Sequence, residues 1–144
     1  MQKTILITGS TDGIGIETAK MLISQDHNVL LHGRNTAKLE DTKKNLSALK
    51  GGGYIESYIA DLTRMADVET LAKALTDKHS KLDVLINNAG IFKTPNPMTQ
   101  NGLDVRFVVN TIAPYLLTQR LMPLLGVTGR VINLSSAAQS PVDL

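Results

Sequence analysis

The chain has 144 residues, no cysteine, and a formal net charge of +2 with acidic and basic side chains interspersed. That is one domain's worth of sequence, long enough to bury a substantial core. Disulfides, thiolate metal sites and cysteine nucleophiles are excluded, and no stretch is basic enough to make nucleic acid a main partner. The apolar N-terminal stretch is too short for a signal peptide and no apolar run could span a membrane, so the expected location is cytoplasmic.

Thr4–Thr8 is a short β-branched, apolar run, as expected of a strand buried on both faces of a parallel sheet. Glycines follow, and then Ile14, Thr18, Ala19, Met21 and Leu22 recur at helical spacing. Asn28–Gly33 reads as a second strand. Thr36–Leu49 reads as a polar helix with Leu39, Leu46 and Leu49 facing inward, ended by Gly51-Gly52-Gly53. Tyr54–Ala60 is a third strand. Ala66–His79 carries Val68, Leu71, Ala72 and Leu75 in one helical stripe. Leu82–Asn87 is a fourth strand, and Val131–Leu134 a fifth. Between them, Gly102–Leu125 reads as a long helix bent near Pro114, which lacks a backbone donor.

Alternating strands and helices predict an α/β fold: a Rossmann-like, doubly wound parallel sheet of order 3-2-1-4-5 with right-handed crossovers, forming one domain over residues 1–144. Lys38, Lys43, Lys44 and Lys50 read mainly as a solvated helix face, with anion steering as the lesser alternative. His27, His32 and His79 are scattered without ligand spacing and read as incidental surface or strand histidines, so no metal site is expected.

The chemistry begins where the first strand meets the first helix. Gly9, Ser10, Thr11, Asp12, Gly13, Ile14 and Gly15 form a candidate phosphate-binding turn. Glycine there permits a tight turn and a close backbone approach to a pyrophosphate, and the helix behind it offers unpaired N–H groups and a positive dipole end. In dinucleotide folds an acid at the end of the second strand binds the ribose 2′-hydroxyl and favours NAD. Here that strand ends His32-Gly33-Arg34-Asn35, with no acid. Arg34, beside Asn35, offers a planar cation suited to a 2′-phosphate, so NADP is expected over NAD.

Further motifs occur in order. Asp61-Leu62 follows the third strand, Asn87-Asn88-Ala89-Gly90 ends the fourth, Asn110 lies in the long helix, and Ser135-Ser136 ends the fifth strand. With the Gly-x-x-x-Gly-x-Gly turn, this set resembles the short-chain dehydrogenase/reductase family across nearly the whole chain. The local wording around Asp12–Lys20 and Asn101–Val105 is most similar to its retinol-dehydrogenase and WW-domain-oxidoreductase-like branch.

The resemblance implies that Asp61 and Leu62 lie beside the adenine and that Asn88, Ala89 and Gly90 line the cofactor. It implies that Ser136 polarises the substrate carbonyl and that Asn110 supports a proton relay. It also implies a small-molecule carbonyl or alcohol substrate, and a homo-oligomer for the full-length protein. The family's Tyr-x-x-x-Lys pair is absent: the residues four positions after Tyr54, Tyr58 and Tyr115 are Tyr58, Leu62 and Gln119. The expectation is therefore a nucleotide-binding platform, incomplete at the C-terminus and truncated after strand five, with half of its catalytic machinery and negligible hydride transfer alone. The alternative is a non-catalytic dinucleotide-binding module or sensor.

Overall fold

The computed structural model describes residues 1–138 and 140–141. Strands β1 (Thr4–Ile7), β2 (Asn28–Gly33), β3 (Ile55–Ile59), β4 (Val84–Asn87) and β5 (Arg130–Asn133) form one sheet of order β3-β2-β1-β4-β5, parallel throughout. Helices α1 (Gly13–Ser24), α2 (Thr36–Ser47) and α3 (Met65–Lys78) fill the first three crossovers. The fourth carries α4 (Val105–Phe107), a π-helical stretch (Val108–Ile112) and α5 (Ala113–Leu125). The expected fold class and strand order are those observed.

Successive strand residues face opposite sides, and both sides are covered, so the middles of the central strands are apolar on both faces, with polar residues such as Asn28, His32 and Asn87 toward their ends. Leu6, Leu30 and Leu85 pack with Val68, Leu71, Ala72 and Leu75 of α3 and with Leu117 and Leu121 of α5. Ile5, Ile7, Val29, Leu31, Val84 and Ile86 pack on the other face with Ala19 and Ile23 of α1 and Leu39 and Leu46 of α2. Truncating a fully buried leucine such as Leu6 to alanine costs about 2–5 kcal/mol.

Some elements differ from the sequence expectation. Leu49 lies beyond α2 and is 43% exposed; the inward stripe of α2 is Leu39, Thr42 and Leu46. Thr42 is tolerated there because its hydroxyl donates to the Lys38 carbonyl (2.8 Å). In α1 the sheet-facing residues are Gly15, Ala19 and Ile23, leaving Ile14 and Met21 exposed. The long helix begins at Val105, because Gly102 adopts a left-handed φ of 76° and Asp104 is the N-cap, accepting from Arg106 N–H (2.8 Å). The disturbance expected near Pro114 is the π-helical stretch just before it: Pro114 has no N–H to offer the Asn110 carbonyl, and the turn widens.

Candidate functional site

At the C-terminal end of the sheet, around the β1–α1 turn, lies an open cleft of about 570 Å³. This is the end at which open parallel sheets bind ligands, and the volume is ordinary for a small-molecule pocket.

The turn is shaped by packing. Gly9 has a φ of 63°, and a Cβ on it would stand 2.9 Å from Ala89 Cα. A Cβ on Gly15 would stand 2.2 Å from the Gly9 carbonyl oxygen, so the first turn of α1 sits directly against the strand end. Thr8 accepts from the N–H groups of Asn88 (3.1 Å) and Ala89 (3.0 Å), and Asn88 Nδ2 donates to the carbonyls of Thr8 and Gly9 (both 2.9 Å). Asn88 thus joins the fourth-strand motif to the turn.

Asp12 is the N-cap of α1, yet its side chain makes no capping hydrogen bond. It pairs with Lys38 of α2 instead. The first-turn N–H groups of α1 are therefore left for another acceptor. Thr11, Asp12, Gly13 and Ile14 line the cleft. Ser10 does not: it is fully buried, its N–H and its hydroxyl donate to the His32 carbonyl, and its Oγ accepts from His32 N–H (2.9 Å). Gly15 also stands behind the wall.

The ends of β2 and β3 form the next wall. Arg34 and Asn35 line it, and no carboxylate is within ion-pair distance of Arg34 among the described residues. Asn35 caps α2 by accepting from Lys38 N–H (2.9 Å). Lys38, read from sequence as part of a solvated face, also lines the cleft, so two cations stand on this wall. Asp61 lines it too, accepting from the backbone and hydroxyl of Thr63 (3.0 and 2.8 Å). It is not the cap of α3; that position is Arg64. Leu62, Ala89, Gly90 and Ile91 add a mostly apolar surface.

The two candidate catalytic residues stand off the cleft wall. Asn110, within the π-helical stretch, accepts from Ile91 N–H (2.8 Å) and donates to the Ile91 carbonyl (2.9 Å), holding the loop after β4. Ser136 is exposed, and its Oγ accepts from Ala138 N–H (3.1 Å). Tyr58 does not offer an activated phenol. Burial and the Glu56 carboxylate push the Tyr58 hydroxyl well above its ordinary value, and Tyr115 is exposed on α5.

The histidines correct the sequence reading. His32 is 3% exposed and hydrogen-bonded through both ring nitrogens, to Gly9 and Ala60. His79 bonds Glu56 (2.9 Å). A lone histidine in a strand carries no spacing signal, so only the fold reveals these partners.

A parallel α/β sheet of order β3-β2-β1-β4-β5 with a glycine turn leading into α1 and a cleft at its C-terminal end defines a Rossmann-like, doubly wound class of fold. Comparison with known sequences then gives the family. The short chain dehydrogenase family matches residues 3–142, and the chain belongs to it. Retinol dehydrogenase 13 of Homo sapiens is 32% identical over 138 residues, which is 94% of this chain and 42% of that protein. A metagenomic short-chain oxidoreductase solved in complex with NADP superposes with a TM-score of 0.83 at 32% identity, covering 97% of this chain and 65% of that one. A short-chain dehydrogenase from Sphingobium yanoikuyae in complex with NADPH gives 0.80 at 29% identity, covering 94% and 54%. The chain therefore spans less than half the length of the human relative. No helix among the described residues is long and apolar enough to cross a membrane.

Proposed function

We propose that the cleft binds NADP(H) and that this chain is the dinucleotide-binding part of an oxidoreductase interconverting a carbonyl and an alcohol. The observation that carries the reading is Arg34, a cation with no carboxylate in ion-pair reach among the described residues, just past the end of β2 where no acid stands, with Lys38, paired to Asp12, beside it. A 2′-phosphate would find charge-assisted partners there, whereas a 2′-hydroxyl would find no carboxylate in the usual place. The uncapped first turn of α1 fits a pyrophosphate. Asp61 and Leu62 fit an adenine edge, and Asn88, Ala89 and Gly90 fit the ribose beyond it. When bound, the nicotinamide supplies the hydride donor or acceptor.

The chain's own residues would orient the carbonyl and hold the site's shape. In this reading Ser136 donates a hydrogen bond to the carbonyl oxygen, and Asn110 sets the position of the Ile91 loop. Tyr58 is not suited to act as the general acid, since a phenol working near neutrality needs a lowered pKa and the half-buried Tyr58 is shifted the other way. The second reading is a module that binds dinucleotide without turning it over. The exposed Phe107, Tyr115 and Met122 on the long helix suit self-association, the family's expectation for that element.

Fluorescence titration with NADPH and NADH tests the cofactor, and NADPH should bind more tightly. Equal affinities would overturn the assignment. NADPH binding without oxidation by any of a panel of aldehydes and ketones would support the module over the enzyme.

A further inference from the structure

We propose that His32 is a positioning residue of the nucleotide cleft, a neutral imidazole that braces the phosphate turn against the end of β3. The inference rests on the reading of the cleft as a dinucleotide site, and it begins from the hydrogen-bond chemistry of one ring. Gly9 N–H meets Nδ1 at 3.0 Å, and Nε2 meets the Ala60 carbonyl at 3.0 Å. An amide N–H only donates and a carbonyl only accepts, so Nδ1 must be the bare nitrogen and Nε2 must carry the proton. Only the neutral ring in that tautomer satisfies both partners.

The position matters because the ring joins the Gly9 amide, which donates to it, to Ala60, whose own N–H already donates to the Gly33 carbonyl (3.2 Å). The β1–β2 pairing ends at Ile7 and Leu31, and the β2–β3 pairing ends at Gly33 and Ile59. Gly9 and Ala60 lie just past those ends, on the two strands flanking β2, and both line the cleft. The ring spans from one to the other. It thereby sets the Gly9 amide, which lies in the phosphate turn, relative to Ala60, which leads into Asp61 and Leu62. Ser10 and His32 exchange further bonds through their main chains and the Ser10 hydroxyl, so β2 holds the turn on its other side as well.

Protonation would undo the brace. A second ring proton would set an N–H against the Gly9 N–H. Burial, only partly offset by the Ala60 carbonyl, lowers the pKa of His32 below the ordinary imidazole value. Among the described residues no carboxylate hydrogen-bonds the ring. Around the cleft Asp12 is paired with Lys38, Asp61 with Thr63, and Arg34 adds positive charge; from β3, the register partner Tyr58 gives its hydroxyl to Glu56. The neutral form is thus the one the surroundings favour near pH 7, and nucleotide affinity should fall as acid protonates the ring.

Two near-isosteric variants separate the ring's bonds. The oxygen of H32N stands near Nδ1 and keeps an acceptor for Gly9, whereas the amide of H32Q reaches toward Nε2 and keeps a donor for Ala60. With NADPH as the probe, titrated into the intact protein from pH 8 to pH 5, the wild type should weaken on acidification. H32N should bind within about threefold of wild type at pH 8 and weaken less than wild type on acidification, keeping only the fall due to protonation of the 2′-phosphate itself, and H32Q should bind about tenfold more weakly, having left the Gly9 donor unmet. Amide exchange at Gly9, followed by NMR without nucleotide, should be slow in wild type and H32N and faster in H32Q. Equal affinity and equal Gly9 exchange in H32N and H32Q, or a wild-type profile indistinguishable from that of H32N, would overturn the proposal. A wild type that binds no dinucleotide would instead sink the reading of the cleft, and the Gly9 exchange data would still decide whether the brace exists.

Discussion

The two halves of the sheet's C-terminal end are built differently. Around β1, β2 and β3, side chains lock the strand ends to one another: Thr8 and Asn88 to the turn, Ser10 and His32 to each other, His32 to Ala60. Around β5 the side chains are mostly solvent-facing. Among the described residues β5 pairs only with β4 and Ser136 bonds only its local backbone, and Ile132 and Leu134 are more than 40% exposed. Beneath them Asn87 donates to Thr118 and Asn133, yet its buried Oδ1 finds no partner among the described residues. On the β1–β2–β3 side these strand-end side chains satisfy one another, while the first-turn N–H groups of α1 stay open. The half assigned to carbonyl chemistry draws little of its order from within these residues, so substitutions should weigh very differently on the two sides.

The largest effect is expected at Gly15. Gly15→Ala places a methyl against the Gly9 carbonyl, where backbone on both sides resists, and should cost about 3 kcal/mol of stability in urea titration. A change below about 0.5 kcal/mol would show that the turn is softer than its contacts imply. Next, Arg34→Ala should weaken NADPH about 10–100-fold while leaving NADH little changed, the loss of a charge-assisted bond worth about 1.5–3 kcal/mol. Matched losses for both nucleotides would remove the 2′-phosphate role.

Asn88→Ala removes both donors to the Thr8 and Gly9 carbonyls and should lower stability by about 1–2 kcal/mol, read from the same unfolding curves. A smaller change concerns the β3 side of the sheet. Burial alone would raise the Glu56 pKa, but bonds from Tyr58, Lys78 and His79 outweigh it and hold the carboxyl below the usual range. The unfolded chain then binds the proton more readily, so this contribution is present above about pH 4.5 and lost as pH falls through the lowered folded value. Glu56→Gln should cost about 1 kcal/mol at pH 7 and flatten stability against pH below 4.5; an unchanged acid slope would argue against the cluster. The smallest effect is expected at Ser136, where alanine should shift stability by less than about 0.5 kcal/mol. A larger loss would mean the β5 side is better ordered by its own residues than its exposure indicates.

Much of the fold was legible because it rests on short-range patterns. β2 is a six-residue run buried at every position, and β1, β4 and α3 lie within two residues of their expected bounds. The errors have local causes. Periodicity alone puts Leu49 inward, though α2 ends two residues earlier, and puts Gly102 in the long helix, though its left-handed φ belongs to a turn. In the site, the residue types of the turn and of the Asn88–Gly90 segment were readable in the chain. Which side chains face the cleft was not: Ser10 turns inward, Lys38 turns onto the wall, and His32 becomes a brace.

The amino-acid order by itself determined the class of fold, the sequence of strands and the presence of a glycine turn, because apolar runs, helical stripes and glycines act over a few residues. It also showed that no acid ends β2 and that no tyrosine is followed by a lysine four residues on. Only the tertiary structure decided what each polar side chain does. A hydrogen bond between Gly9 and His32, or an ion pair between Asp12 and Lys38, joins residues more than twenty positions apart, and those distances exist only once the sheet has closed over its core.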